Sequence, residues 1–220
     1  MGKGGRLAGQ INAFDRALGH RMSVGDRDTL AETWQELRSA GVLSRVLRPG
    51  DAAPPFHLPD QNGAMVELKD RLRLGPVVLL FIRGGWCPFC TLTLRAWQGA
   101  LPLLHDAGGD LLAVSPQGHT QCCETAERDL LAYPVLSDKG GVVAKGYGVT
   151  AELPQRARAL YLRFGHDLPR MNGDKSWRLT LPTTFILDPN GRIVLVDGDV
   201  LPQHRLEPDA AIAMVRTLLD

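Results

Sequence analysis

The stretch Val77-Val78-Leu79-Leu80-Phe81-Ile82-Arg83-Gly84-Gly85-Trp86-Cys87-Pro88-Phe89-Cys90 decides how this chain is read. Residues 77–82 form a short apolar run rich in β-branched and aliphatic side chains, the pattern of a buried strand, and Gly75-Pro76 punctuates its start. Beyond Cys90, residues Leu92, Leu94, Trp97 and Leu101 can recur on one face of a helix. A strand, a tight Gly-Gly turn and a helix start carrying Cys87 make a reactive arrangement. Unpaired backbone N–H groups and the positive end of the helix dipole favour a thiolate there. Cys90 lies one helical turn further on, close enough to close a disulfide with Cys87. The pair predicts thiol–disulfide redox chemistry. Inert burial and zinc ligation compete with it, but zinc needs two more ligands, and the adjacent Cys122-Cys123 lack the spacer of a zinc knuckle.

Working outward, 220 residues hold one domain of ordinary size plus an appendage, and 44% hydrophobic residues are ample for a core. A formal net charge of +1 gives no reason to expect nucleic acid or an anionic membrane surface as partner. No apolar run approaches the length of a transmembrane helix. Gly9, Gln10, Asn12 and Asp15 interrupt the segment where a signal peptide needs a continuous apolar core. Four cysteines are too few for a disulfide scaffold, so they are read as reduced, working thiols in the cytoplasm. No cofactor and no metal is expected, and none of the six histidines shows ligand spacing with another; His105, His119 and His166 read as surface or helix-end residues.

Residues 1–47 read as a helical extension. Ile11, Phe14, Leu18 and Met22 fit one stripe; a second helix starts at Asp28 or Thr29, with Glu32 completing a capping box, carries Leu30, Trp34 and Leu37, and stops at Gly41. These helices could cover the main domain or pair two subunits in a homodimer. Residues 48–220 form the main domain, entered through the linker-like Arg48–Pro55. Strands are expected at 56–58 and 64–68 around Asn62-Gly63, then strand 77–82, a helix over about 88–105, strand 111–115, a helix over about 119–132 and an extended piece at 135–136. A hairpin joins 185–187 to 192–196 through Asp188-Pro189-Asn190-Gly191, and 207–219 closes the chain as a helix. This order implies an α/β fold, a central mixed β-sheet with helices on both faces. Leu181-Pro182-Thr183-Thr184-Phe185 places a proline at a strand start, where a cis bond is natural and an ordinary trans bond is commoner.

Trp86-Cys87-Pro88-Phe89-Cys90 followed by Leu181-Pro182-Thr183-Thr184-Phe185 resembles the thioredoxin superfamily. Gly50–Pro54, Leu58–Gly63, Arg83–Pro88, Ala113–Gln117, Tyr133–Asp138 and Asp188–Gly191 narrow the resemblance to the peroxiredoxin-like branch of the alkyl hydroperoxide reductase/thiol-specific antioxidant (AhpC/TSA) family, over roughly residues 45–218. The resemblance implies a thioredoxin fold with Pro182 in a cis-proline loop facing the Cys87 helix. Residues 149–178 look like an insertion of this branch, a long loop near the thiols. It also implies a thiol-dependent peroxidase acting on hydrogen peroxide or organic hydroperoxides. Cys87 would be the nucleophile, Cys90 would resolve the sulfenate into a Cys87–Cys90 disulfide, and a dithiol such as thioredoxin or glutaredoxin would reset the enzyme.

The chain departs from the family at three signature positions. With Cys87 at the end of the family's Pro-x-x-x-Thr-x-x-Cys motif, Gly84 stands at the threonine and Leu80 at the proline; Pro182 stands where the family carries an arginine. The threonine and arginine of the family donate hydrogen bonds that orient the peroxide and stabilise charge as the O–O bond breaks. Arg83 could supply a nearby cation, Trp86 packs beside the pair, and Cys122 at the start of the next helix is an alternative resolving thiol. The missing donors keep a thiol–disulfide oxidoreductase, acting on protein or small-molecule disulfides, in competition with the peroxidase. A redox-sensing interaction module is a third reading.

Overall fold

The computed structural model describes residues 7–219. The extension folds as α1 (Leu7–Arg21), α2 (Val24–Ser39) and a single 3-10 turn over Val42–Arg45. The second helix starts earlier than the capping-box pattern suggests. Ser23 is its N-cap, accepting from the Asp26 N–H at 3.1 Å, and Thr29 lies inside the helix with its hydroxyl donating to the Gly25 carbonyl. A serine six residues upstream of Thr29 thus satisfies the free amides first. The expected stop holds: Gly41 takes a left-handed φ of 65° that ends the run.

The main domain opens with β1 (His57–Pro59) and β2 (Met65–Glu67), antiparallel about the Asn62-Gly63 turn, followed by the short α3 (Leu68–Leu72). Next come β3 (Val77–Phe81), α4 (Pro88–Asp106), β4 (Asp110–Ser115), α5 (His119–Arg128), β5 (Val135–Ser137) and α6 (Val142–Gly146). The fifth helix is shorter than expected because Leu130 adopts a positive φ of 50° and turns the chain out. The expected long loop at 149–178 is instead a built unit: β6 (Thr150–Glu152), α7 (Gln155–Arg163), α8 (Leu168–Asn172) and β7 (Arg178–Thr180). Its two strands pair antiparallel, and Ala157, Leu160, Tyr161 and Leu168 are buried beneath its helices. The chain ends with β8 (Thr183–Leu187), β9 (Ile193–Gly198) and α9 (Pro208–Arg216).

Five strands form the central sheet in the order β5-β4-β3-β8-β9. The pairs β3–β4 and β4–β5 are parallel, and β8 runs antiparallel to both β3 and β9. This is the mixed sheet with helices on both faces that the strand and helix order implies. Strand β3 is central and buried on both sides, which explains its unbroken apolar run. Val77, Leu79 and Phe81 face a core shared with α2 and α7, and Val78 and Leu80 face a core shared with α1, α4 and α9. The end of β3, where both cores meet, delivers the chain to Arg83 and the cysteine pair.

Candidate active site at the head of the fourth helix

The turn after β3 is shaped by close approach. Gly84 has φ 133°, and a Cβ there would lie 2.5 Å from Gln117 Oε1 and 2.7 Å from Trp86 Nε1. At Gly85 an added Cβ would stand 2.0 Å from Thr125 Oγ1. The Gly85 N–H donates to Gln117 Oε1 at 2.8 Å, and Arg128 Nη1 donates to the Gly85 carbonyl at 2.9 Å. At Gly84, where the family motif has threonine, the backbone takes a conformation that side chains rarely adopt, and a Cβ would press on the Gln117 amide.

Cys87 is the N-cap of α4 and Pro88 occupies its first turn, where the missing N–H costs nothing. Both thiols are buried, with Cys87 2% and Cys90 0% exposed. The sulfur of Cys87 makes no capping bond to the helix amides, against the expectation that the helix start would hold it as the anion. Cys90 Sγ accepts from the Arg83 backbone N–H at 3.4 Å and from Arg205 Nη2 at 3.7 Å. The hydrogen bond to Cys90, burial and the Cys90 charge push the Cys87 thiol well up. Burial opposes ionisation of Cys90, yet the Cys87 S–H, the Arg205 charge and the Arg83 N–H and charge outweigh it, bringing that thiol to about 5.

Arg83 is buried, with its guanidinium 4.8 Å over the Trp34 ring and Nη2 donating to the Val200 carbonyl at 3.2 Å. The sequence left its direction open; its charge acts on both sulfurs. Trp86, next in sequence to Cys87, packs its ring 4.5 Å from that of His166 and 6.2 Å from that of Tyr161. His166 is thus no simple surface residue: it is half-buried, and burial holds its pKa down. A cleft of about 430 Å³, lined by Gly85, Gln117, Thr125 and Arg128 among others, reaches Trp86 from the far side. Phe89 meets Phe14 of α1 edge to face at 5.4 Å.

Pro182 is buried beside the end of β3, since Phe81 pairs with Thr183, but its peptide bond is trans, the ordinary alternative for a loop proline. Cys122 points its S–H at the Gln117 carbonyl, 3.9 Å away, and burial raises it to about 11. Ser115 and Ser137 beside it partly offset that rise. Cys123 donates to Glu127 on the outer face of α5. Sequence reasoning missed Arg205, Trp34, Tyr161 and His166 as neighbours of the pair. They arrive from three distant segments, and none carries a local pattern.

The family model of the AhpC/TSA family matches residues 49–196. Among relatives, peroxiredoxin Bcp of Escherichia coli (strain K12) is 34% identical over 106 residues, covering 48% of this chain and 67% of that protein. The chloroplastic peroxiredoxin Q of Sedum lineare is 29% identical over 162 residues, 73% of each chain. Among solved structures, the peroxidoxin BcpB of Mycobacterium tuberculosis superposes with a TM-score of 0.63 at 24% identity, over 78% of this chain and 98% of that one. The shared architecture is the thioredoxin fold.

Proposed function

This chain belongs to the AhpC/TSA family, and on that premise we propose that it is a thiol-dependent peroxidase working through the Cys87–Cys90 dithiol. One observation carries the reading: two buried thiols stand one helical turn apart at the head of α4, with the guanidinium charges of Arg83 and Arg205 acting on them. Such a pair holds one negative charge at neutral pH and a proton ready for transfer. The thiolate attacks one oxygen of the hydroperoxide, an S–O bond forms as O–O breaks, and the leaving alkoxide or hydroxide takes a proton. The second sulfur then displaces hydroxide from the sulfenic acid, forming the Cys87–Cys90 disulfide and water. An external dithiol resets the pair.

Burial favours a peroxide over a protein disulfide as oxidant. A mixed disulfide with a second protein needs an exposed sulfur, whereas Cys87 is 2% and Cys90 0% exposed. A two-oxygen group can reach such a pair where a folded partner cannot. The reset step makes the opposite demand, so the first turn of α4 must open for a thioredoxin- or glutaredoxin-type reductant. A cytoplasmic setting supplies such dithiols.

Stopped-flow mixing of the reduced protein with stoichiometric hydrogen peroxide, followed by tryptophan fluorescence and mass, tests the function. Trp86 beside the pair should report a fast phase, and the product should carry an intramolecular Cys87–Cys90 disulfide. Reaction no faster than that of free cysteine, together with rapid exchange with a protein disulfide, would move the assignment to a thiol–disulfide oxidoreductase.

A further inference from the structure

We propose that Cys90, and not Cys87, is the attacking thiolate, and that Arg205, from the segment joining β9 to α9, is a catalytic residue that holds its sulfur as the anion. The inference takes the identity of the oxidant from the peroxidase reading; the location of the charge stands on geometry alone. Two donors from distant parts of the chain converge on Cys90 Sγ: the Arg83 backbone N–H at 3.4 Å and Arg205 Nη2 at 3.7 Å. At the other sulfur, the Cys87 thiol makes no bond to the amides of α4. A sulfur that accepts from a backbone amide and a guanidinium is the one built to be negative, and a sulfur with no such donor is the one built to stay neutral.

Arg205 is placed for this by three anchors. Its Nε donates to Thr93 Oγ1 at 3.0 Å, its Nη1 to the His204 carbonyl, and its Nη2 reaches Cys90 Sγ at 3.7 Å. Thr93 in turn donates to the Phe89 carbonyl at 2.9 Å, so the guanidinium is tied to the turn of helix that carries the thiol. Among the described residues no carboxylate pairs with Arg205 or with Arg83. Two partly or fully buried guanidinium groups without a carboxylate need a counter-charge, and the Cys90 sulfur supplies it. The planar fork matters: a lysine at 205 could bring the charge but not the three directed bonds.

In the resulting sequence the Cys90 thiolate attacks the peroxide oxygen and becomes the sulfenic acid. The departing alkoxide or hydroxide takes the proton of the Cys87 thiol. Cys87, now the thiolate, attacks the Cys90 sulfur, the S–S bond forms, and hydroxide leaves to be protonated by solvent. The Cys87 thiol is thus both the proton source for the leaving oxygen and, once deprotonated, the second nucleophile.

Ultraviolet thiolate absorbance followed across pH on the reduced full-length protein tests this without any peroxide. The groups facing the pair are Arg83 from the end of β3, Arg205 from the β9–α9 segment and Tyr161 from α7. Tyr161 is held protonated by burial, and Cys122 titrates only at about 11, so the acid side of neutrality reports the pair alone. Cys87→Ser should keep a transition on the acid side of neutrality, and Cys90→Ser should lose it. Arg205→Gln should move it up by about one to two pH units, with Arg205→Lys recovering part of the shift. The rate of Arg205→Gln with hydrogen peroxide should fall ~10-fold or more near neutrality and recover as pH rises and the thiolate returns. A purely structural arginine would give a loss independent of pH. An acid-side transition that persists in Cys90→Ser and vanishes in Cys87→Ser overturns the assignment. So does an Arg205→Lys or Arg205→Gln protein, native by circular dichroism, that titrates like the parent. If the titrations come out as stated while the parent fails to consume peroxide, the assignment of the charge stands and the peroxidase reading falls.

Discussion

Gly85 and Thr125 show how tightly a single residue constrains the approach to the thiols. A methyl group at Gly85 would stand 2.0 Å from Thr125 Oγ1, so the turn or α5 must move to admit it. Gly85→Ala should therefore cost about 1–3 kcal/mol in chemical denaturation and slow disulfide formation, while adding Thr125→Ala should restore part of both. Additive losses in the double variant would show that the two positions do not collide. Trp34 makes a second residue-scale case, since its ring lies under the buried Arg83 guanidinium at 4.8 Å. Trp34→Leu should lower stability by about 2 kcal/mol or more and reduce the peroxide rate, read by thermal melting and single-turnover kinetics side by side. At this scale the sequence was legible for Cys87 and Cys90 as a reacting pair but not for their order. The Pro-x-x-x-Thr-x-x-Cys motif can be laid on either cysteine: on Cys90 it puts Cys87 at the threonine and Arg83 at the proline. Only the donors around each sulfur separate the two registers, and Arg205 comes from 115 positions away along the chain.

The elements that frame the pair are held by directed contacts as well as by apolar packing. Asp129, just past the end of α5, accepts from Arg95 of α4 at 2.9 Å and from Arg128 at 2.6 Å. Burial opposes the charge on Asp129, but these two arginines outweigh it and hold its carboxyl below the usual carboxylate range. A depressed folded pKa gives stability that is present above the unfolded value and lost as pH falls through the folded one. Asp129→Asn should thus cost about 1–3 kcal/mol at neutral pH, and the difference from the parent should shrink in acid; a constant difference would show that the carboxylate charge is not what clamps the helices. Most elements of the main sheet were legible because β3 is apolar on both faces and because Asn62-Gly63 and Asp188–Gly191 mark their turns. The unit at 149–178 was not. Its strands have three residues each and its helices nine and five, too short for a period of two or 3.6 to stand out. Likewise the start of α2 at Val24 was hidden because Ser23 and Thr29 offer two competing caps.

Across the whole molecule, the extension and the main domain share both cores. Leu7 and Ile11 join the core under α4, while Trp34 and Leu37 join the one under α7. Glu207, ahead of α9, accepts from the Leu7 and Ala8 amides, so the first and last helices are tied together. The sequence showed two helices to come but not that one of them would cover Phe89 and the other Arg83, because those contacts are long-range. The redox state should be felt by the entire fold. Cys90 has a folded pKa of about 5 against roughly 8.5 for an unfolded thiol. Its contribution is therefore complete above the unfolded value and lost as pH falls through the folded one. Cys87, raised in the fold, contributes in the opposite sense and begins to cost stability above roughly pH 8.5. The reduced protein should gain stability from about pH 5 to roughly pH 8.5 and then decline. The disulfide form has neither thiol to titrate, and melting curves of both forms across pH should show that slope in the reduced form alone. The most direct measurement is sulfenate trapping: treat reduced Cys87→Ser and Cys90→Ser separately with one equivalent of hydrogen peroxide in the presence of a sulfenate-specific nucleophile, and locate the adduct by peptide mass. We expect an adduct on Cys90 in Cys87→Ser, formed faster than on free cysteine, and none on Cys87 in Cys90→Ser; an adduct on Cys87 alone, or on neither sulfur, would contradict the account.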